Sequence, residues 1–275
     1  MPEMSLTVIG CSAAAPRMGG ACSSYLVGFG ETRMLLDCGP ASLSFLRQHL
    51  NPRNLDAVVL SHFHADHTLD LIPLRYLLKY GPPEAADRHG RERKLPLYVP
   101  PGGWDFLQGL SAGLAGDGGP EFWSPFAVIE YDPDRDLEIG GVGIVFAPTR
   151  HYLPCYAMRI SPAETDEPVI VYGADTAPSA SVIALAGDAD LLILEATLPT
   201  PETNEPMGHL TPRQAGELAE EAGGVTHLVL THYWGNIPPD VMAMEAETAF
   251  TNGTVSVATE GDVYTLRTGK DMTIA

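Results

Sequence analysis

Short runs of β-branched and aliphatic residues recur along the chain: SLTVIG (5–10), SSYLVGFG (23–30), TRMLLD (32–37), DAVVLS (56–61), GIVFAP (143–148), PVIVYG (168–173), DLLILEA (190–196), THLVLT (226–231) and VSVATEG (255–261). They read as strands. Several lack polar alternation, which is expected where each face of a sheet is covered by another sheet or by helices. Between them, helical spacing appears in ASLSFLRQHL (41–50), TLDLIPLRYLLKY (68–80), GGWDFLQGLSAGL (102–114), SASVIALAG (179–187), TPRQAGELAEEAG (211–223) and PPDVMAMEAETAF (238–250). The pattern predicts a mixed α/β protein. Glycine, proline and charge cluster at 81–94 and again at 116–121, which predicts surface loops rather than domain linkers. One domain over residues 1–275 is therefore expected. DAVVLSHFH and THLVLTHYW echo one another, as they would if two similar halves each carried a ligand at a strand end.

Chemistry concentrates where strands stop. VVLSHFHADH (58–67) places His62, His64, Asp66 and His67 directly after an apolar run. Imidazole with carboxylate suits zinc, manganese or iron rather than calcium or a metal that prefers thiolate. In an extended segment His62, His64 and Asp66 project to related sides while His67 points elsewhere, which suits two neighbouring metals better than one. Other strand-like runs end in the same residue types, at His151, Asp175 and His232. In α/β sheets, sites form beyond the carboxyl ends of strands, so these side chains are expected to converge. Six of the nine histidines fall in or beside these positions; His49, His89 and His227 are left as surface or core residues.

The motif HFHADH resembles the HxHxDH signature of the metallo-β-lactamase superfamily, and His151, Asp175 and His232 match its later motifs in order. The resemblance implies an αβ/βα four-layer sandwich and two divalent metal ions, zinc first and manganese or iron as alternatives. It assigns His62, His64 and His151 to one ion and Asp66, His67 and His232 to the other, with Asp175 bridging. DLLILEATL and GHLTPRQAGELA further resemble the EAT and HST segments of ribonuclease Z-like phosphodiesterases. That implies catalytic roles for His209, as donor of a proton to the leaving oxygen, and Glu195, as the residue that orients it; Asp66 is counted with them as well as among the ligands. Thr211 and Pro212 equally read as the cap and first turn of a helix. The first loop, GCSAAAPRMGGACSSYLV, is similar to that of bacterial members linked to cyclic-nucleotide hydrolysis. There Gly19 and Gly20 would let backbone amides approach a phosphate and Arg17 would supply charge, although a plain glycine-rich connection between strands fits as well.

Composition narrows the substrate. With 16 Lys+Arg against 35 Asp+Glu the formal charge is -19, so long nucleic acid is repelled on average. Only 23 residues separate His151 from Asp175, too few for the tRNA-gripping arm of the ribonuclease Z enzymes, and THYWGNIPPD lacks their usual continuation. A small anionic phosphodiester such as a cyclic nucleotide is expected, attacked by a hydroxide activated between the two ions. Hydrolysis of a lactam, thioester or lactone, ribonuclease Z-like processing, and a non-catalytic metal-binding role are the alternatives. Cys11, Cys22, Cys38 and Cys155 have no paired spacing and read as reduced thiols in a cytoplasm. Neither a signal peptide nor a membrane span is expected. The apolar helix LIPLRYLLKYG could contribute to a homodimer, though such a stripe is more often core.

Overall fold

A computed structural model describes residues 3–82, 87–89, 93–114, 121–165, 167–269 and 271–275. The two loops expected at 81–94 and 116–121 lie partly outside the described residues. The first sheet contains β1 (Glu3–Gly10), β2 (Ser24–Phe29), β3 (Thr32–Leu36), β4 (Ala57–Val59), β5 (Leu95–Val99), β6 (Phe126–Glu130), β14 (Val263–Arg267) and β15 (Asp271–Ile274). Its order is β15-β14-β1-β2-β3-β4-β5-β6. The second contains β7 (Leu137–Ile139), β8 (Val142–Pro148), β9 (Tyr156–Pro162), β10 (Ile170–Tyr172), β11 (Leu191–Glu195), β12 (His227–Thr231) and β13 (Thr254–Val257), ordered β13-β12-β11-β10-β9-β8-β7. Each sheet has an antiparallel part and a parallel part, β3 to β6 in one and β10 to β13 in the other.

The apolar runs behave as two-sided coverage requires. On β4, Ala57 and Val59 join the core between the sheets, while Val58, and Leu60 just after the strand, join the layer beneath the first set of helices. That set is α1 (Ser42–His49), α3 (Leu71–Tyr80) and α4 (Gly103–Ala112), of which Leu46, Leu71, Leu74 and Leu107 are buried. On the far side, α5 (Ala180–Ala186), α6 (Pro212–Ala222) and α7 (Pro239–Glu247) bury Val182, Ala215, Leu218 and Met242 against the second sheet. The result is the four-layer metallo-β-lactamase sandwich. Among the described residues no helix is long and apolar enough to cross a membrane.

All six helical segments appear, with one break. The stretch 68–80 does not begin as one helix: Thr68 closes the short α2 (Ala65–Thr68), and α3 starts at Leu71. The intervening Asp70 turns its side chain to the amide of Leu43 (2.8 Å), so the chain is pinned to α1 at that corner. Thr211 caps α6 in a capping box with Gln214, and Pro212 occupies the first turn. All four cysteines are free and buried.

Candidate metal centre

The parallel strands of both sheets deliver their carboxyl ends to one place. His62 follows β4, Asp175 follows β10 and His232 follows β12, while His151 lies in the turn between β8 and β9. Several of these ends turn sharply: Asp37, Ala174 and His232 have φ of 55°, 51° and 51°. Such left-handed backbone outside glycine persists only where the surroundings over-determine it.

The seven ligand-type residues expected from sequence meet there as two groups that share one member. His62, His64, His151 and Asp175 form the first, and Asp66, His67, Asp175 and His232 the second; in each group the donor atoms lie within 4.8 Å of one another. Asp66 sits with His67 and not with His62 and His64, as strict alternation would have it, because α2 begins at Ala65 and changes the period from extended to helical. In the first group His64 Nδ1 is 3.1 Å from His62 Nε2 and 2.9 Å from His151 Nε2. In the second, His232 Nε2 is 3.0 Å from Asp66 Oδ2 and His67 Nε2 is 3.3 Å from Asp175 Oδ1. Donors about 2.0–2.1 Å from a tetrahedral zinc ion are spaced by about 3.3 Å.

Outer partners fix which nitrogen faces inward. The Nδ1 of His151 donates to Gly208 O (2.9 Å), that of His67 to Asp37 Oδ2 (2.8 Å) and that of His232 to Thr197 Oγ1 (2.8 Å). The Nδ1 of His62 donates to Ser61 Oγ (2.9 Å), whose hydroxyl donates on to Asp37 Oδ2 (2.7 Å). These partners set the tautomers. Each leaves Nε2 with its lone pair toward the centre, the arrangement that outer carboxylates and carbonyls impose on metal-binding imidazoles. His64 alone of the five turns Nδ1 inward.

Three buried atoms in the middle have no hydrogen-bond partner among the described residues: Asp175 Oδ1, Asp175 Oδ2 and His67 Nε2. Unpaired buried carboxylate oxygens are expensive. Burial lowers the proton affinity of His62, His64 and His151, and on His62 the neighbouring His67 lowers it further. Burial acts against charge on Asp175 too, but His232 and His67 outweigh it and hold the carboxyl well below its usual range. The same opposition holds for Asp66, where burial acts against charge and the close approach of His232 is the largest favourable contribution. On His67 burial is outweighed the other way, since Asp175 and Asp37 raise its proton affinity well above the usual value. Two ionised, buried carboxylates beside three imidazoles that resist protonation, His62, His64 and His151, fit a centre that divalent cations would neutralise.

A third cluster, Glu195, His209 and His232, differs in kind. Glu195 is fully buried and its oxygens are already used: Oε1 accepts from Thr176 N (2.8 Å) and His209 Nδ1 (2.9 Å), and Oε2 from Thr197 Oγ1 (2.6 Å) and Leu210 N (3.1 Å). It orients His209 rather than offering a lone pair to a cation. Burial opposes charge on His209, yet the hydrogen bond to Glu195 prevails and pushes it up to about 9. The ring lies 5.1 Å from that of His151 and 5.8 Å from that of His232, so an imidazole oriented by a carboxylate stands at the rim of both groups.

The first loop reaches the centre by its backbone: Ala14 N donates to Asp66 Oδ2 (2.8 Å). Arg17 stands differently from an anion-binding cation. Its Nη2 is 3.3 Å from Glu260 Oε2, its Nε donates to Ser12 Oγ (3.2 Å), and its guanidinium lies 3.9 Å from the centre of the Tyr233 ring. Gly19, with φ of 78°, has open space around it, whereas a Cβ at Gly20 would fall 2.7 Å from Glu260 Oε1.

Asp37, Ser61, Tyr172 and Thr197 are absent from the sequence reading. Asp37 had a signal, since TRMLLD ends a strand in a carboxylate as PVIVYGAD does. It accepts from Ser61 N and Oγ, His67 Nδ1 and Tyr172 OH.

The profile of the β-lactamase superfamily domain matches residues 32–233 of the chain. The chain belongs to the metallo-β-lactamase superfamily, and it is a metallo-hydrolase of that group. It is 36% identical over 261 residues to the probable metallo-hydrolase YhfI of Bacillus subtilis, covering 95% of this chain and 99% of the relative. The crystal structure of YhfI superposes with a TM-score of 0.81 over 96% of this chain and 100% of that one, at 33% identity. A ribonuclease Z of Methanopyrus kandleri is 27% identical over 301 residues, covering 96% of this chain and 99% of that one. A diphosphatase of the PhnP family, at 18% identity and a TM-score of 0.71 over 97% of this chain and 98% of that one, shares the fold.

Proposed function

We propose that the protein hydrolyses a small phosphodiester, a cyclic nucleotide being the type case, at a binuclear centre. His62, His64 and His151 would hold one cation, Asp66, His67 and His232 the other, and Asp175 both, with zinc the first choice and manganese or iron as alternatives. The observation that carries this reading is the pair of unpartnered, buried Asp175 oxygens between the two imidazole groups. Two bound cations supply a water of lowered pKa and positive charge for the phosphoryl oxygens.

The chain's own residues do the rest. Asp37, Ser61, Thr197 and the carbonyl of Gly208 hold the imidazoles in the donor tautomer, so the centre is organised before substrate arrives. His209 has Nδ1 committed to Glu195, whose carboxylate favours the protonated ring, leaving Nε2 to protonate the departing alkoxide. In the first loop the guanidinium of Arg17 is committed, the amide of Gly20 donates to Arg17 O (2.8 Å) and that of Ala21 to Glu260 Oε1 (3.1 Å), so the amide of Gly19 is the one that would meet a phosphate. The formal charge of -19 favours a small anion over RNA.

The test is elemental analysis of the purified protein, followed by a panel of cyclic AMP, nitrophenyl phosphodiesters, nitrocefin and an acyl-thioester. The reading requires diester turnover that depends on metal and exceeds the acyl substrates. Turnover confined to the lactam or thioester would replace it with acyl hydrolysis at the same centre.

A further inference from the structure

The residues around His209 form a second tier of support that neither the metal groups nor Glu195 account for. The chain leaves β11 and returns at Leu210, whose carbonyl accepts from Leu198 N (3.0 Å), so residues 199–209 form a closed excursion across the rim of the centre. Gly208 is its junction. Its carbonyl accepts from His151 Nδ1 (2.9 Å), its amide donates to Glu202 Oε2 (2.7 Å), and a Cβ there would fall 2.5 Å from Tyr152 Cζ. Glu202 Oε2 also accepts the amide of His209 itself (3.1 Å), while its Oε1 takes the hydroxyl of Tyr152. Tyr152 follows His151 directly, and its ring sits 5.0 Å from that of His151 and 5.5 Å from that of His209.

From this geometry we infer that Glu202, held by Tyr152, is a positioning residue for His209: it fixes the main chain from which the imidazole projects, tying the proton donor to the His151 ligand loop through Gly208. The inference rests on the reading of His209 as general acid. Glu195 sets the tautomer and direction of the ring, but a ring on a loose backbone would still wander by ångströms, and misplacement on that scale is costly to proton transfer. Glu202 touches neither the cation groups nor the reacting atoms, so its removal should leave metal content intact.

Its signature is dependence on the leaving group. An alkoxide needs a proton as it departs, whereas nitrophenolate is a stable anion and does not. Metal-loaded wild type, Glu202→Ala, Glu202→Gln and Tyr152→Phe are compared on cyclic AMP and on bis-nitrophenyl phosphate, with metal content measured for each. Glu202→Ala should lose on the order of tenfold on the alkoxide substrate and less than about twofold on the nitrophenyl ester, at wild-type metal occupancy. Glu202→Gln, which keeps an oxygen to accept the two amides, should recover most of that loss, and Tyr152→Phe should fall between. Equal losses on both substrates, or loss of metal from Glu202→Ala, would overturn the assignment. A second readout is independent of turnover: in the wild type the His209 Nδ1 proton should be protected from solvent exchange, and in Glu202→Ala it should exchange at least about tenfold faster. If the wild type cleaves no diester, the phosphodiester reading fails, and this exchange rate alone decides the role of Glu202; unchanged protection contradicts it.

Discussion

Strand β12 carries a buried histidine at each end, and the two have opposite surroundings. At its start, His227 has both ring nitrogens against neutral hydroxyls, Nδ1 to Thr254 Oγ1 (2.6 Å) and Nε2 to Ser256 Oγ (2.8 Å). Just beyond its end, His232 has Nδ1 on Thr197 and Nε2 toward two carboxylates, Asp66 at 3.0 Å and Asp175 at 3.5 Å. Burial alone pushes His227 down to about 4. One ring is a satisfied core residue and the other presents a lone pair to a pool of negative charge. Burial therefore does not mark a functional histidine. What marks it is an inward nitrogen set against buried carboxylates, and that depends on which end of the parallel strands it occupies.

The sharpest way to break this contrast is to remove the negative charge that distinguishes the ends. Asp175→Ala should abolish occupancy of both cation groups and reduce turnover by on the order of a thousandfold or more, checked by elemental analysis alongside steady-state kinetics. Retention of both ions would detach Asp175 from the centre. Next in size, His209→Ala should keep its metal and lose on the order of a hundredfold or more on alkoxide esters. Metal loss in that variant would move His209 into the ligand set.

A weaker effect comes from the outer support of the centre. Asp37→Asn leaves His67 Nδ1 a poorer acceptor, and metal affinity measured by competition with a chelator should fall by roughly ten- to a hundredfold. The smallest effect belongs to the other end of β12. Above its unfolded value of about 6.5, His227 is neutral whether the chain is folded or not. As pH falls from there toward about 4, the unfolded chain takes up a proton that the folded one refuses, so stability declines, by about 3 kcal/mol in total for this group. The difference between wild type and His227→Gln in chemical denaturation across that window should show this slope. A flat difference curve would mean that the buried ring accepts its proton without penalty.

How much of this was legible in the sequence follows the same contrast. Strands buried on both faces, such as DLLILEA and THLVLT, announced themselves, as did the amphipathic helices. Among the strands that passed unread, β5 carries Pro96 inside it, which strands usually exclude, and in β9 Arg159 and Ser161 break the apolar run. The ligand-type residues were legible because imidazole and carboxylate repeat at strand ends. Ser61 and Thr197 were not, since a hydroxyl that relays a hydrogen bond has no spacing of its own. Arg17 shows the limit from the other side: a cation in a glycine-rich loop suggests phosphate, yet its partner Glu260 is 243 residues away, beyond anything local pattern can reveal.

Anomalous diffraction from crystals of the zinc-loaded protein tests the central claim most directly. Two peaks are predicted on either side of the Asp175 carboxylate, one against His62, His64 and His151 and one against Asp66, His67 and His232, with His227 bare. A lone peak, or any ion that leaves both Asp175 oxygens without a contact, would contradict it.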